Sequence, residues 1–331
     1  MAEHTYAVIG SNCFTGSHLV DRLLEDPSNF VAGFSRSQEK SALFLPYKRR
    51  GCDRFKFFQI DLFRQADRLA ALLDELKPRT VIFMAALSEV GLSNFQPIEY
   101  FQTNTLGVIQ RCHHLKGRRY LERYIDISSA EVYGSCARPL PESAALNPST
   151  PYAVSKAAAD LYLMTLFKNF NFPAILIRST NVYGRHQQLY KIIPRTIIYL
   201  KKGERLDLHG GGKAVKTWVH VRDVADGIMR AMEQGRPGEI YHFSDRHSYS
   251  IACLVRKICE MMNCEYEASV VPAEERLGED SQYLLDYSKA EHELGWTPHI
   301  SFQQGIEETI AWIEENWNGV MGESLVYTHQ A

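Results

Sequence analysis

The chain has 331 residues, 45% of them hydrophobic and 23% charged, with a formal net charge of −2. That length exceeds one small core, and the near-neutral charge without a long basic run argues against a nucleic-acid binder. No apolar run approaches the about 18 residues of a membrane span, and seven scattered cysteines without a C-x-x-C pair read as reduced thiols, so a cytoplasmic protein is expected.

The first half alternates strand and helix. "TYAVIG" is a short apolar run stopped by Gly10, and "SHLVDRLLED" follows with Leu19, Leu23 and Leu24 on one helical face. "FVAGFS" and "FKFFQID" read as the second and third strands, "LAALLDEL" as a helix, and "TVIFMAA" and "RYIDISS" as the fourth and fifth strands. "PYAVSKAAADLYLMTLF" is a long helix and "AILIRST" a sixth strand. Strands separated by helices pair in parallel through right-handed crossovers. The expected fold class is therefore α/β, a Rossmann-type doubly wound parallel sheet whose ligands sit beyond the carboxyl ends of its strands.

The second half is mixed. "SIACLVRKICEMM" places Ile251, Leu254, Val255, Ile258 and Met262 on one face behind a cap at Ser250. "SFQQGIEETIAWIEENW" opens with a capping box, Ser301 to Gln304, and is expected to bury Ile306, Ile310, Ile313 and Trp317. No Pro/Gly/Ser linker separates the halves. A dinucleotide-binding domain over residues 1–180 and a smaller mixed C-terminal substrate lobe over residues 181–331 are expected, with some later elements returning to the first domain and a cleft between the two.

Beyond the first strand lies "GSNCFTG", Gly10 to Gly16. A dinucleotide turn needs glycine for its tight bend, for backbone approach to the pyrophosphate and for helix packing. Gly10 and Gly16 hold the outer places and Cys13 stands at the middle one, where its Cβ either pushes the phosphates outward or is absorbed by a small shift. Asn12 tolerates positive φ better than most residues. The second strand ends in Ser35, Arg36 and Ser37, where an NAD site usually places an acid. Removing that acid and adding a guanidinium favours a 2′-phosphate, so NADP is expected ahead of NAD. The bland reading of each motif is an ordinary strand-to-helix turn and a solvated loop arginine.

The fifth strand runs into "SSAEVYG": two serines and Glu131 at the end of a strand that reads as buried. Such groups are costly to bury without partners. Either water solvates them or they line a site. Tyr152 and Lys156 are four apart on one helix face, where an ammonium near a phenol lowers its pKa and makes a usable base. The twelve histidines show no metal spacing, and no metal is expected.

"GSNCFTG", "SSAEVYG", Tyr152-x-x-x-Lys156 and "RSTNVYG" stand in the order and spacing of the extended short-chain dehydrogenase/reductases. The chain resembles the nucleotide-sugar 4,6-dehydratases and epimerases of that superfamily over nearly its whole length, with later echoes in "KTWVHVRDVADGI", "RLGED" and "ELGWTP". The resemblance implies Ser129 bonding the sugar O4, Tyr152 as base, Lys156 holding the nicotinamide ribose, and Glu131 removing the C5 proton. It places the dinucleotide against Gly10, Asn12, Cys13, Phe14, Thr15, Gly16, Ser35, Arg36, Ser37, Asp61, Leu62, Ala85, Ala86 and Asn104, together with Tyr152 and Lys156. It places the sugar nucleotide against Ser88, Ser129, Glu131, Asn181, Lys191, Lys216 and Arg276. It also implies a homodimer through the helices following Tyr100 and Tyr152.

Two positions depart from the pattern. Ala130 stands where many thymidine-diphosphate-glucose dehydratases carry aspartate, an acid that GDP-mannose dehydratases, the nearer analogy, also lack while keeping the glutamate and using NADP, and Lys216 replaces the usual arginine fork with a point charge. The reaction implied is redox-neutral loss of water from a nucleotide hexose. A 4-epimerase, a uronate decarboxylase and a non-catalytic NADP-binding sensor are the other readings.

Overall fold

The computed structural model describes residues 4–274 and 280–327. The first half follows β1 (His4–Ile9), α1 (Phe14–Leu23), β2 (Asn29–Ser35), β3 (Phe55–Gln59), α2 (Ala66–Leu76) and β4 (Thr80–Phe83). Two short helices, α3 (Val90–Ser93) and α4 (Pro97–Phe101), lead through a π turn into α5 (Gly107–Leu115), then β5 (Arg123–Ile127), α6 (Pro151–Phe170) and β6 (Ala174–Ser179). The second half runs β7 (Asn181–Tyr183), α7 (Ile192–Lys202), β8 (Leu206–His209), β9 (Val215–His220), α8 (Val221–Gln234) and β10 (Ile240–Phe243). It continues with β11 (Ser248–Ser250), α9 (Ile251–Met261), α10 (Tyr266–Ser269), β12 (Val270–Ala273), α11 (Ser288–Leu294), α12 (Phe302–Glu315) and α13 (Trp317–Met321).

Seven parallel strands form the main sheet in the order β10-β6-β5-β4-β1-β2-β3. The strand order reverses beside β1, so the crevice for a ligand opens between the ends of β1 and β4. Both faces are covered. Val8, Ile82, Ile125 and Ile177 pack with Leu19 and Leu23 of α1 and Val224 and Ile228 of α8. Ala7, Ile9, Val81 and Leu176 pack with Leu69 and Leu73 of α2, Val108 of α5 and Leu163 of α6. Double coverage is why the strands read as unbroken apolar runs. Each such Leu or Ile contributes roughly 1.5–3 kcal/mol relative to exposure, which fixes the strand ends firmly enough to carry a site.

The second half supplies two of these pieces. α8 packs on the sheet beside α1, and β10 is its edge strand, so the chain crosses between lobes more than once after residue 180. What remains forms a lobe around Ile193, Ile197, Leu254, Ile258, Ile306, Trp312 and Ile313.

Local signals set the helix starts. The hydroxyls of Ser250 and Ser301 accept from the N–H groups of Cys253 (3.1 Å) and Gln304 (3.2 Å). The capping box at Ser301 is half formed, because the Gln304 amide donates instead to Glu308 (3.2 Å). Trp312, not Trp317, fills the lobe core; Trp317 lies past a break at Asn316 and is half-buried. Helix α1 starts three residues earlier than its apolar face suggests, because Cys13 caps it.

Candidate active site

The turn after β1 is built by close backbone packing. Gly10 sits at φ +103°, and a Cβ there would stand 2.7 Å from the Ala85 nitrogen. A Cβ on Gly16 would stand 2.4 Å from the Gly10 carbonyl oxygen. The middle place tolerates a side chain: Cys13 is extended and its Sγ accepts from the Gly16 N–H (3.2 Å), so the thiol turns into the helix end. Asn12 is not among the residues with positive φ. Its amide brackets the turn to the loop after β2, donating to the carbonyls of Ser37 (3.2 Å) and Gln38 (2.7 Å), while its N–H donates to Ser35 Oγ (3.0 Å).

A cleft of about 690 Å³ opens over this turn. Gly10, Asn12, Cys13, Ser35, Arg36, Ser37, Asp61, Leu62, Ala85 and Ala86 stand on its wall, and so does Ser88, a residue the resemblance places against the sugar. Phe14, Thr15 and Gly16 form the first turn of α1 and are not on that wall. Nor is Asn104, whose amide is occupied: Oδ1 accepts from Leu87 N–H (2.9 Å), and Nδ2 donates to the Leu87 carbonyl (3.0 Å) and Ser155 Oγ (3.0 Å). It holds the wall and does not line it. The first turn of α1 carries no acid, and Arg36, Lys40 and Arg64 face the cleft. With Cys13, the cap of that helix, on the wall and three cations against the two acids Asp61 and Glu99 lining it, the cleft fits the pyrophosphate of a dinucleotide.

At the end of β5 the two serines part company. Ser128 Oγ donates inward to Asp160 (2.9 Å). Ser129 caps the short 3-10 turn Ala130–Tyr133, accepting from the Glu131 N–H (3.2 Å), and its hydroxyl is near enough to Tyr152 to influence that phenol. Tyr152 packs with Leu87, which borders the cleft, and meets Tyr100 edge-on with ring centroids 6.4 Å apart. Burial, then the Glu131 carboxylate, push its pKa up, while Ser129 pulls it down. The lowering expected from Lys156 is not found. Lys156 is 1% exposed and its ammonium lies 3.4 Å from Asp126 Oδ1, so a carboxylate and not the phenol neighbours that charge.

Beneath these residues lies a buried polar layer. Asp126 is pushed up to about 6 by burial, with Lys156 pulling down and Asp160 pushing up. Asp160 Oδ2 accepts from Arg178 Nε (3.0 Å) and Nη2 (2.8 Å). Arg178 also donates to the Tyr133 hydroxyl, which donates to His242 Nε2 (2.8 Å); the other ring nitrogen, assigned its proton by the network, donates to the Asp286 carbonyl (2.9 Å). Burial lowers His242 to about 3, so it is neutral.

On the lobe side, Asn181 Nδ2 donates to the Thr217 carbonyl (3.2 Å) and Oδ1 accepts from Tyr283 (3.0 Å). Lys216 donates to the Asp280 carbonyl (2.7 Å) and lies 4.5 Å from the Tyr283 ring centre. Lys191 pairs with Glu89. Arg276 lies outside the described residues. No group of His, Cys, Asp and Glu among the described residues could hold a metal ion.

Residues 8–309 match the family model of the GDP-mannose 4,6 dehydratases. The chain belongs to that family. A human dTDP-D-glucose 4,6-dehydratase is 29% identical over 94% of this chain and 90% of its own. The crystal structure of a dTDP-glucose 4,6-dehydratase from Streptomyces venezuelae with NAD bound superposes with a TM-score of 0.88 at 30% identity, covering 95% of this chain and 98% of that one. A UDP-glucuronic acid 4-epimerase from Bacillus cereus gives 0.85 at 25%, covering 94% and 99%. A nicotinamide dinucleotide and a nucleotide sugar are thus the ligand classes of this family's fold.

For a member of the GDP-mannose 4,6 dehydratase family, one neighbour of the site escapes sequence reading. Tyr283 is buried with Glu131 and Tyr152 among the groups that influence its phenol. Nothing local marks it. Asp126 did leave a signal: a carboxylate in the middle of an apolar strand demands a partner.

Proposed function

We propose that the chain is a nucleotide-sugar 4,6-dehydratase, converting a nucleoside-diphosphate hexose into its 4-keto-6-deoxy form with loss of water. The observation that carries this is Glu131, held by the Ser129-capped turn beside Tyr152. An epimerase has no essential use for a carboxylate there. When bound, the dinucleotide supplies the hydride acceptor for C4 and later the hydride donor for C6. Ser129 and Tyr152 hold the O4 hydroxyl, and Tyr152, whose phenol burial and Glu131 push up, takes its proton only as phenolate. Lys156 orients the nicotinamide ribose. Glu131 removes the C5 proton once the neighbouring C4 ketone has made it acidic. Ala130 offers no acid, so the protonated Glu131 hands its proton to the leaving C6 hydroxyl. Asn181, Lys191, Lys216 and Arg276 grip the sugar nucleotide, in a lobe drawn from residues 181–331 without α8 and β10.

Glu131→Gln keeps the shape and removes the base. Turnover should fall by about 10²–10⁴, with reduced nicotinamide accumulating and C5 exchange with deuterated water lost. Tyr152→Phe should accumulate none. Wild-type turnover in Glu131→Gln would replace this reading with the 4-epimerase.

NAD is the working cofactor by likeness to solved relatives that hold it, while Arg36 and the missing acid at the end of β2 leave room for NADP. Dissociation constants of wild type and Arg36→Ala for both dinucleotides decide the preference. The seven cysteines are free thiols, which fits a reducing cytoplasm, and no described helix is long and apolar enough to cross a membrane. Ile98 in α4 and Val154 and Leu161 in α6 are 69%, 39% and 61% exposed on helices that pack together. That apolar face suits a second copy of the chain, and light scattering giving a monomer mass would dismiss it.

A further inference from the structure

After α13 the chain turns back from the lobe toward the cofactor cleft. Leu325 packs against the lobe core, and Ser324 Oγ both donates to the Val326 carbonyl and accepts from its N–H, each at 3.1 Å. This anchored turn delivers Tyr327 to the cleft wall, half-buried. Its ring meets Tyr190 edge-on, with centroids 5.2 Å apart, and Tyr190 lines the same cleft. Burial, then Glu89, push the Tyr327 phenol up and Arg36 pulls it down, so the hydroxyl lies within electrostatic reach of the guanidinium just after β2. The last described residue of the chain and the residue just after its second strand therefore both line the same cleft.

We propose that Tyr327 is a cofactor-binding residue, and that the segment Ser324–Tyr327 straps the cleft beside Arg36 and slows departure of the dinucleotide. The chemistry suits the ligand. A phenol offers a flat apolar face to a ribose or base and a donor to a phosphate, and Arg36, Lys40 and Arg64 supply the charge around it. Contacts of this kind act mainly on the dissociation rate. The proposal rests on the dinucleotide assignment and not on the dehydration chemistry. A chain that binds NAD but dehydrates no sugar nucleotide would end the functional reading and leave this one standing.

The test is stopped-flow release of NADH from preloaded enzyme, chased with excess NAD, alongside calorimetric NAD affinity. Tyr327→Ala should release NADH roughly 5–30-fold faster, with a matching loss of affinity and an association rate unchanged within about twofold. A chain ending after Gly322 should do the same. Tyr327→Phe should release more slowly than Tyr327→Ala, because the ring remains. Thermal melting at the wild-type temperature confirms that Tyr327→Ala is folded. Wild-type release from both Tyr327→Ala and the shortened chain would overturn the proposal. So would a loss of sugar-nucleotide affinity equal to the loss of NAD affinity, since that marks a loosened lobe and not a strap.

Discussion

The ends of β1 and β5 lie on the same edge of one parallel sheet and solve opposite problems. After β1 the side chains are withdrawn. Gly10 and Gly16 have none, the Cys13 thiol turns into the helix end, and Asn12 is tied to the loop after β2. A ligand there meets backbone and the helix terminus. After β5 the side chains are held up. Ser129 and Glu131 face Tyr152 from above a buried layer of Asp126, Asp160, Arg178, Tyr133 and His242. Binding a constant, charged cofactor needs close approach, whereas chemistry needs particular groups at fixed positions. The first region should therefore suffer from added atoms and the second from removed charges.

The sharpest break in the second region is Asp160→Asn. It leaves Arg178, buried with it, without its carboxylate, which should cost about 3–5 kcal/mol in urea unfolding. If stability holds, the layer is not what supports the strand end. The matching break in the first region adds a methyl group. Gly10→Ala meets both the positive φ and the Ala85 backbone, and should cost roughly 2–3 kcal/mol together with most of the NAD affinity, read by calorimetry.

Acid should separate the regions further. The folded pKa of His242, about 3, lies below its ordinary value near 6.5, so its contribution is present above 6.5 and lost as pH falls toward 3. Asp126 runs the other way. Its folded pKa of about 6 lies above the ordinary 3.8, so its contribution is present at low pH and lost as pH rises through 6. Between pH 4 and 6 the two oppose. Asp126→Asn removes the offset, so the unfolding free energy, read by urea titration, should fall more steeply with acid across that window, by up to roughly 1.4 kcal/mol per pH unit. An unchanged slope would show that Asp126 does not titrate there. The smallest effect belongs to the middle of the glycine turn. Cys13→Ala loses only the cap and should cost about 0.5–1 kcal/mol while leaving NAD affinity near wild type.

Much of this architecture was legible from short stretches. The strand and helix alternation, the caps at Ser250 and Ser301, the unusual polar end of β5 and the four-residue spacing of Tyr152 and Lys156 all depend on neighbours within a turn or two. Cys13 was legible as an oddity, but its role as a helix cap depended on where its thiol pointed. The fate of Lys156 was not legible. Spacing puts it on the face of Tyr152, but its ammonium goes to Asp126 on β5, thirty residues earlier. Asn104 likewise looked like a cleft residue until the packing of α6 occupied its amide.

The sequence alone determined the fold class and the edge of the sheet where chemistry collects, because apolar periodicity, capping and turn preference are settled by local backbone and side-chain sterics. Only the tertiary structure decided which charges face each other. It paired Asp126 with Lys156, brought Tyr283 against Asn181, returned β10 to the sheet and set Tyr327 within electrostatic reach of Arg36. Each of these joins residues far apart along the chain, and their meeting is fixed by the packing of the layers between them.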